Sequence, residues 1–377
     1  MSHTQDNGIY YFLGNITSHI LHALPLYKEL GGTFIVTSKN AAYKLEKNYN
    51  IKAIYKDNVP FIWKWIGKRP KRQREYLQID GRFRHTIDFL NTNARVVIFY
   101  EVFEFSDELK LNKPKKVFLT HGNMLKNYFK MHPKRLEMIR KYDYMAAIGP
   151  YMKQEFLKTG IPSDKLVDIG IARTDDVIKK RNNHTLPESL ALLGIENNKP
   201  IVSYLPTFWG DSSVEILGPK LLEKISSDYT VIFRPHPQTP MKIISKYSEV
   251  IEDKPNIFYL PEGNSNRVSL LDIMGISDVI IGDISSVMLE AVLLNIPLVF
   301  AEPDTKNNIE SHSQLDEIIN YSSKISEHNV ALLNEILADS INRGIDESLW
   351  RKTIERDFFF ADGTSTRSIS DFIHSID

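Results

Sequence analysis

The chain reads as an α/β protein built from two Rossmann-like domains that face one another across a cleft. Three observations predict this. Short apolar runs of the kind that form parallel strands buried on both faces alternate with amphipathic helical stretches through most of the sequence. The alternation breaks once, in the polar passage DDVIKKRNNHTLPESLALLGIENNKP after Arg173, and then starts afresh. A length of 377 residues exceeds one ordinary core and suits two. The expected division is 1–180 for the first domain and 181–350 for the second. A helical segment, 351–377, is expected to pack back on the first domain.

Taken in order, strands are predicted at 8–13, 33–36, 95–99, 116–120 and 144–148, with helices such as 18–30 and 153–159 between them. The second series runs 201–204, 230–233, 257–259, 279–281 and 298–300. Ligands of such folds bind beyond the carboxyl ends of strands. Polar residues of unusual chemistry follow strands at three places: His121-Gly122 after VFLT, Arg234-Pro235-His236-Pro237 after TVIF, and Asp283 with Ser285-Ser286 after VII. All three groups are expected to meet in one interdomain cleft.

Composition narrows the function. A hydrophobic content of 42% with 25% charged residues is that of a soluble globular protein, so disorder is not expected. The formal net charge is zero, which argues against a nucleic acid held by a global basic field. There is no cysteine, hence no disulfide, thiolate metal site or cysteine nucleophile, as suits a reducing cytoplasm. The N-terminal MSHTQDNGIYYFLGN lacks the pattern of a secretory signal, and no apolar stretch reaches the roughly 20 residues that span a bilayer. A cytoplasmic protein is expected, peripheral on the inner face of the membrane if it meets the membrane at all.

The strand VII, the Ser285-Ser286 turn and the apolar helix after it form a candidate phosphate pocket. Uncapped N–H groups and the positive end of the helix dipole attract anions there, and two hydroxyls add donors; the competing reading is a capped core helix that binds nothing. Asp283 closes the strand beside this turn and is expected, with the two serines, at the donor phosphate. Glu290 lies about one helical turn after Ser286, placed to accept hydrogen bonds from ribose hydroxyls. Arg234 and His236 are stiffened by Pro235 and Pro237, a rigid presentation of two donors that suits a diphosphate. His121 leaves a buried strand with Gly122 behind it, and an imidazole can take a proton from an attacking hydroxyl near neutral pH. The stretch YLPTFWGDSS puts Thr207 and Trp209 at the same edge, where Trp209 walls a ligand or plugs the domain interface. In FIWKWIGKRPKRQR, Trp63 and Trp65 stand among Lys68, Arg69, Lys71, Arg72 and Arg74, a mixture that favours an anionic membrane surface or else forms a solvated basic loop. No HExxH, His/Cys cluster or Asp-x-Asp supports a metal.

The order of these motifs, namely His121-Gly122-x-x-x-Lys126, Pro206-Thr207-x-Trp209, Arg234-x-His236-Pro237 and Asp283-x-Ser285-Ser286 followed by Glu290, resembles the CDP-glycerol glycerophosphotransferase family of teichoic acid synthesis. Gly170-x-x-Arg173-x-Asp175 and Asp362-Gly363-Thr364-Ser365-x-Arg367 are similar to two further family segments. Asn123-Met124 and Phe208-Trp209-Gly210 depart from the usual Thr-Pro and Trp-Arg pairs. The resemblance implies a GT-B-type fold and metal-free transfer of glycerol phosphate from CDP-glycerol to a hydroxyl of a lipid-linked acceptor, with no cofactor beyond the donor. It implies His121 as the base, with Arg234 and His236 on the pyrophosphate. Ser285 and Ser286 then hold phosphate and Glu290 lies near the ribose. A GT-B glycosyltransferase using a nucleotide sugar is the alternative enzyme. A non-catalytic protein that binds a nucleotide or an anionic polymer is the alternative outside enzymes. The polyol, the acceptor and the oligomeric state are not legible in the residues.

Overall fold

The computed structural model describes residues 7–14, 19–56, 84–101, 111–120, 133–182, 187–196, 198–208, 212–261, 268–302 and 313–376. Two sheets organise them. The first contains β1 (Ile9–Gly14), β2 (Thr33–Val36), β3 (Ile54–Tyr55), β4 (Val96–Phe99), β5 (Lys115–Phe118), β6 (Tyr144–Ala147) and β7 (Leu166–Asp168), in the spatial order β3-β2-β1-β4-β5-β6-β7. The second contains β8 (Ile201–Leu205), β9 (Thr230–Phe233), β10 (Ile257–Tyr259), β11 (Val279–Gly282), β12 (Leu298–Ala301) and β13 (Ser323–Ile325), ordered β10-β9-β8-β11-β12-β13. Every pairing is parallel. In both sheets the strand order reverses beside the first strand, at β1/β4 and at β8/β11, and this reversal opens a crevice for a ligand beyond the carboxyl ends.

The central strands are buried along their whole length, β1, β4, β8, β9, β11 and β12 among them, because helices cover both faces. That is why continuous apolar runs announce them. The edge strands β3, β7 and β13, which the sequence does not announce, have two or three residues each and partly exposed side chains. Too few residues are present for a period to show.

The polar passage after Arg173 is not an extended linker. It holds helices Asp175–Asn182 and Pro187–Leu193, with Val177 and Leu190 buried. Asp175 and Asp176 stand in the first turn of the former helix and Lys179, Lys180 and Arg181 in its last, so charges aligned with the helix dipole stabilise a segment with little apolar face.

The two halves share a core. One cluster of buried side chains joins Val97, Phe99 and Phe118 of the first sheet, Ile232 and Ile280 of the second, and Leu349 and Phe358 of the C-terminal segment. Helix Glu347–Asp357 touches helix Pro150–Lys158 of the first half and helices Ser286–Leu293 and Ser313–Tyr321 of the second. The last helix, Ser365–Ser375, lies on helix Ile20–Leu30. Arg95 holds its end through the carbonyls of Ile373, at 3.2 Å, and Ile376.

Gly170 makes this return possible. A Cβ there would lie 2.1 Å from Ser365 Oγ and 2.2 Å from the Phe360 carbonyl oxygen. Gly170→Ala is therefore expected to cost about 1–3 kcal/mol through overpacking. The measurement is the urea midpoint, which should fall without a change in slope.

Candidate active site

Strands β9, β8 and β11 are neighbours, so the segments that leave their carboxyl ends are neighbours too. Behind β8 come Pro206, Thr207 and Phe208; behind β9, Arg234, Pro235 and His236; behind β11, Asp283, Ile284 and Ser285. Second-half residues expected to gather in the cleft are thus brought to one edge by the sheet order.

Asp283 organises that edge. Its Oδ1 accepts the Thr207 N–H at 2.9 Å, and its Oδ2 accepts the Ser213 N–H at 3.0 Å and the Ser213 hydroxyl at 2.8 Å. The residue is 1% exposed. Burial pushes its carboxyl above the ordinary carboxylate range, against the pull of the hydrogen bonds from Thr207 and Ser213. Asp283, expected from the sequence at the donor phosphate, has both carboxyl oxygens in hydrogen bonds to the segment that follows β8. Its work is to fix the loop between β8 and Ser213.

Ser285 is the N-cap of helix Ser286–Leu293, with extended backbone angles and an Oγ that accepts the Val287 N–H at 3.3 Å. Its hydroxyl proton is still available to an anion, and Ser286 opens the helix beside it. Both serines are half-buried.

Arg234 is anchored by its own N–H, which donates to the Tyr204 carbonyl at 3.1 Å. The His236 ring is held on two sides. Its Nδ1 accepts the Gln238 N–H at 3.2 Å, and its face stacks on Phe208 with centroids 4.2 Å apart and planes inclined by 21°. Because Nδ1 accepts, the neutral ring carries its proton on Nε2, which makes that atom a donor. Phe208, in the departure from the family pattern, is the side chain that sets the ring plane. Nothing in the spacing of Phe208 and His236 announces this stack.

On the first half, β5 ends at Phe118, and the buried Thr120 that follows has φ +59°. A β-branched residue rarely adopts this left-handed conformation, and strain of this kind gathers at functional sites. His121, the expected base, is the next residue. His121, Gly122, Lys126 and Trp209 lie outside the described residues, as does the stretch with Trp63, Trp65, Lys68, Arg69, Lys71, Arg72 and Arg74.

Arg173 and Glu290 meet between the halves. Arg173 Nη2 donates to Glu290 Oε1, and Arg173 Nη1 lies 3.5 Å from Nε2 of the buried His22. Glu290, expected to wait for ribose hydroxyls, has one oxygen engaged by Arg173. Its Oε2 is buried without a hydrogen-bond partner among the described residues. His22 and Ser213 carry no signal in the sequence, because each acts through a partner distant in the chain, and Phe208 stands out there only as a departure from the family pattern.

The family described as CDP-Glycerol:Poly(glycerophosphate) glycerophosphotransferase matches residues 34–375. The teichoic acid glycerol-phosphate primase of Bacillus subtilis (strain 168) is 26% identical over 307 residues, covering 76% of this chain and 75% of the relative. The teichoic acid ribitol-phosphate primase of Bacillus spizizenii (strain ATCC 23059 / NRRL B-14472 / W23) is 26% identical over 245 residues, 62% of this chain and 59% of the relative. Among solved structures, the wall teichoic acid polymerase TagF shares the fold, with a TM-score of 0.65 and 17% identity, over 99% of this chain and 89% of that one. The UDP-GlcNAc 2-epimerase of Neisseria meningitidis gives a TM-score of 0.61 and 15% identity, over 97% of this chain and 99% of that one.

The Asp283 clamp makes a measurable demand. Asp283→Ala leaves the buried N–H groups of Thr207 and Ser213 unmatched, at a cost of about 1–3 kcal/mol each. Thermal unfolding should record a clear loss for Asp283→Ala and a smaller one for Asp283→Asn, which keeps one acceptor.

Proposed function

The chain belongs to the CDP-Glycerol:Poly(glycerophosphate) glycerophosphotransferase family, and we propose that it carries glycerol phosphate from CDP-glycerol to a hydroxyl of a lipid-linked or polysaccharide acceptor, with release of CMP. Membership makes it an enzyme, a transferase of teichoic acid synthesis whose relatives are primases and polymerases. The observation that carries the finer reading is the row of anion-seeking groups at three adjacent strand ends: Arg234 after β9, His236 stacked on Phe208 from β8, and the helix start at Ser285 and Ser286 after β11.

In the proposed reaction an acceptor oxygen attacks the β-phosphorus, the bond from that phosphorus to the CMP oxygen breaks, and CMP leaves. His121 accepts the hydroxyl proton as the new bond forms. Charge that grows on the bridging and terminal oxygens is met by the Arg234 guanidinium, by His236 Nε2–H and by the N–H groups and hydroxyls of the helix start. These groups, rather than a metal or other cofactor, are assigned the diphosphate charge. Thr207, held by Asp283, and Trp209 are assigned to the nucleotide side.

The proposal puts the protein in the cytoplasm, peripheral on the inner face of the membrane, where a lipid-linked acceptor is reached. Its support is the basic and aromatic content of residues 61–74. Among the described residues no helix is long and apolar enough to cross a membrane.

The test is incubation of the purified chain with CDP-glycerol, CDP-ribitol and UDP-sugars in the presence of a lipid-linked acceptor, with the released nucleotide identified. CMP from CDP-glycerol is expected; release of UDP from a UDP-sugar in its place overturns the reading in favour of sugar transfer. His236→Ala should lower kcat by about 10²–10³-fold, the usual cost of one donor to a developing oxyanion, while thermal unfolding changes little. Near wild-type turnover by His121→Ala would remove that residue from the role of base.

A further inference from the structure

Two segments noted in the sequence, Gly170-x-x-Arg173-x-Asp175 and Asp362-Gly363-Thr364-Ser365, have no part in the reaction above, yet they meet each other. The carboxylate of Asp175, a residue 2% exposed, accepts the Ser365 N–H at 3.2 Å and the Thr366 N–H at 2.6 Å. The start of the last helix is thus capped by a residue far upstream in the first half. Thr366 Oγ1 donates to the Ala172 carbonyl at 3.3 Å, and Gly170 gives the room for the approach. Between these contacts, in the tight turn Ala172–Thr174, stands Arg173.

Its guanidinium leaves the first half and grips Glu290. Glu290 sits on helix Ser286–Leu293, about one turn beyond the serines assigned to the donor phosphates. Side-chain exposure is 13% for Arg173 and 1% for Glu290, so water screens the pair little and neither charge can be abandoned cheaply. Among the described residues, Arg173 Nε and Glu290 Oε2 are buried without hydrogen-bond partners. The turn that carries Arg173 is anchored two residues further on, where Asp175 accepts the N–H groups at the start of the last helix.

We propose that Arg173 and Glu290 are positioning residues for the transfer: Asp175, gripped by the last helix, sets Arg173, and Arg173 through Glu290 sets the donor-phosphate helix against the first domain. This rests on the proposed function for the place of the donor. It assigns Glu290 to the link between the halves rather than to the ribose.

The experiment is a double-mutant cycle on the full chain with Arg173→Met, Glu290→Gln and their combination. Donor affinity is read by calorimetry, turnover by CMP release, and folding by thermal unfolding. Each single variant should lose about 10- to 100-fold in kcat with donor affinity nearly unchanged, and the double variant should be no worse than the poorer single one. Arg173→Lys should recover part of the loss, which a merely packed side chain does not predict. The penalty of Glu290→Gln should be the same with a 2′-deoxycytidine donor. Losses that multiply in the double variant overturn the proposal. A Glu290→Gln defect in donor affinity that vanishes with the 2′-deoxy donor also overturns it and returns Glu290 to the ribose. If Arg173→Met does not fold, Arg173→Gln, which also removes the charge, closes the cycle in its place. Absence of CMP release by the wild-type chain overturns the parent reading as well, and the cycle overturns only the link.

Discussion

Asp283 takes its hydrogen bonds from Thr207 and Ser213 where water cannot replace them, and the rest of the site is built outward from that carboxylate. It leaves β11 at the point where the order of the second sheet reverses, and it reaches across to the loop that leaves β8. With Thr207 fixed, Phe208 is fixed beside it, and the His236 ring stacked on Phe208 takes its plane. The helix start at Ser285 follows Asp283 by two residues. One buried acidic group therefore sets the spacing between the imidazole from β9 and the helix start from β11. A charge-bearing group at this place is costly to bury, and its cost is offset by hydrogen bonds that order the site.

A second constraint acts between the halves. Their sheets are separate, but their apolar core is continuous through the C-terminal segment, and the Arg173–Glu290 pair adds a polar connection beside it. The chain returns to the first half at its end, with Asp175 as the acceptor that receives it. The C-terminal helices thus belong to the architecture that joins the two halves.

How much of this was legible in the residues depends on the range of each interaction. Central strands such as 33–36 and 230–233 coincide with the observed bounds, because burial on both faces writes a continuous apolar run. Strands β3, β7 and β13 are too short and too exposed to write one. Helix Asp175–Asn182 was hidden by its polarity. The chemistry at the strand ends was visible as residue type: Arg234, His236, Ser285 and Ser286 stood out through prolines and helix-start signals. What each does to its neighbours was not visible. The partners of Asp283 lie 70 and 76 residues away, and Arg173 is 117 residues from Glu290, separations at which a single sequence carries no pairing signal.

In the proposed function the diphosphate of the donor is received at the carboxyl ends of β8, β9 and β11. The most direct measurement is a crystal structure of the protein with CDP-glycerol bound. The diphosphate is expected in hydrogen-bond contact with Arg234, His236 Nε2 and the helix start at Ser286, with Thr207 and Ser213 still held by Asp283. A diphosphate seated on the first sheet, or turned away from that helix start, contradicts it.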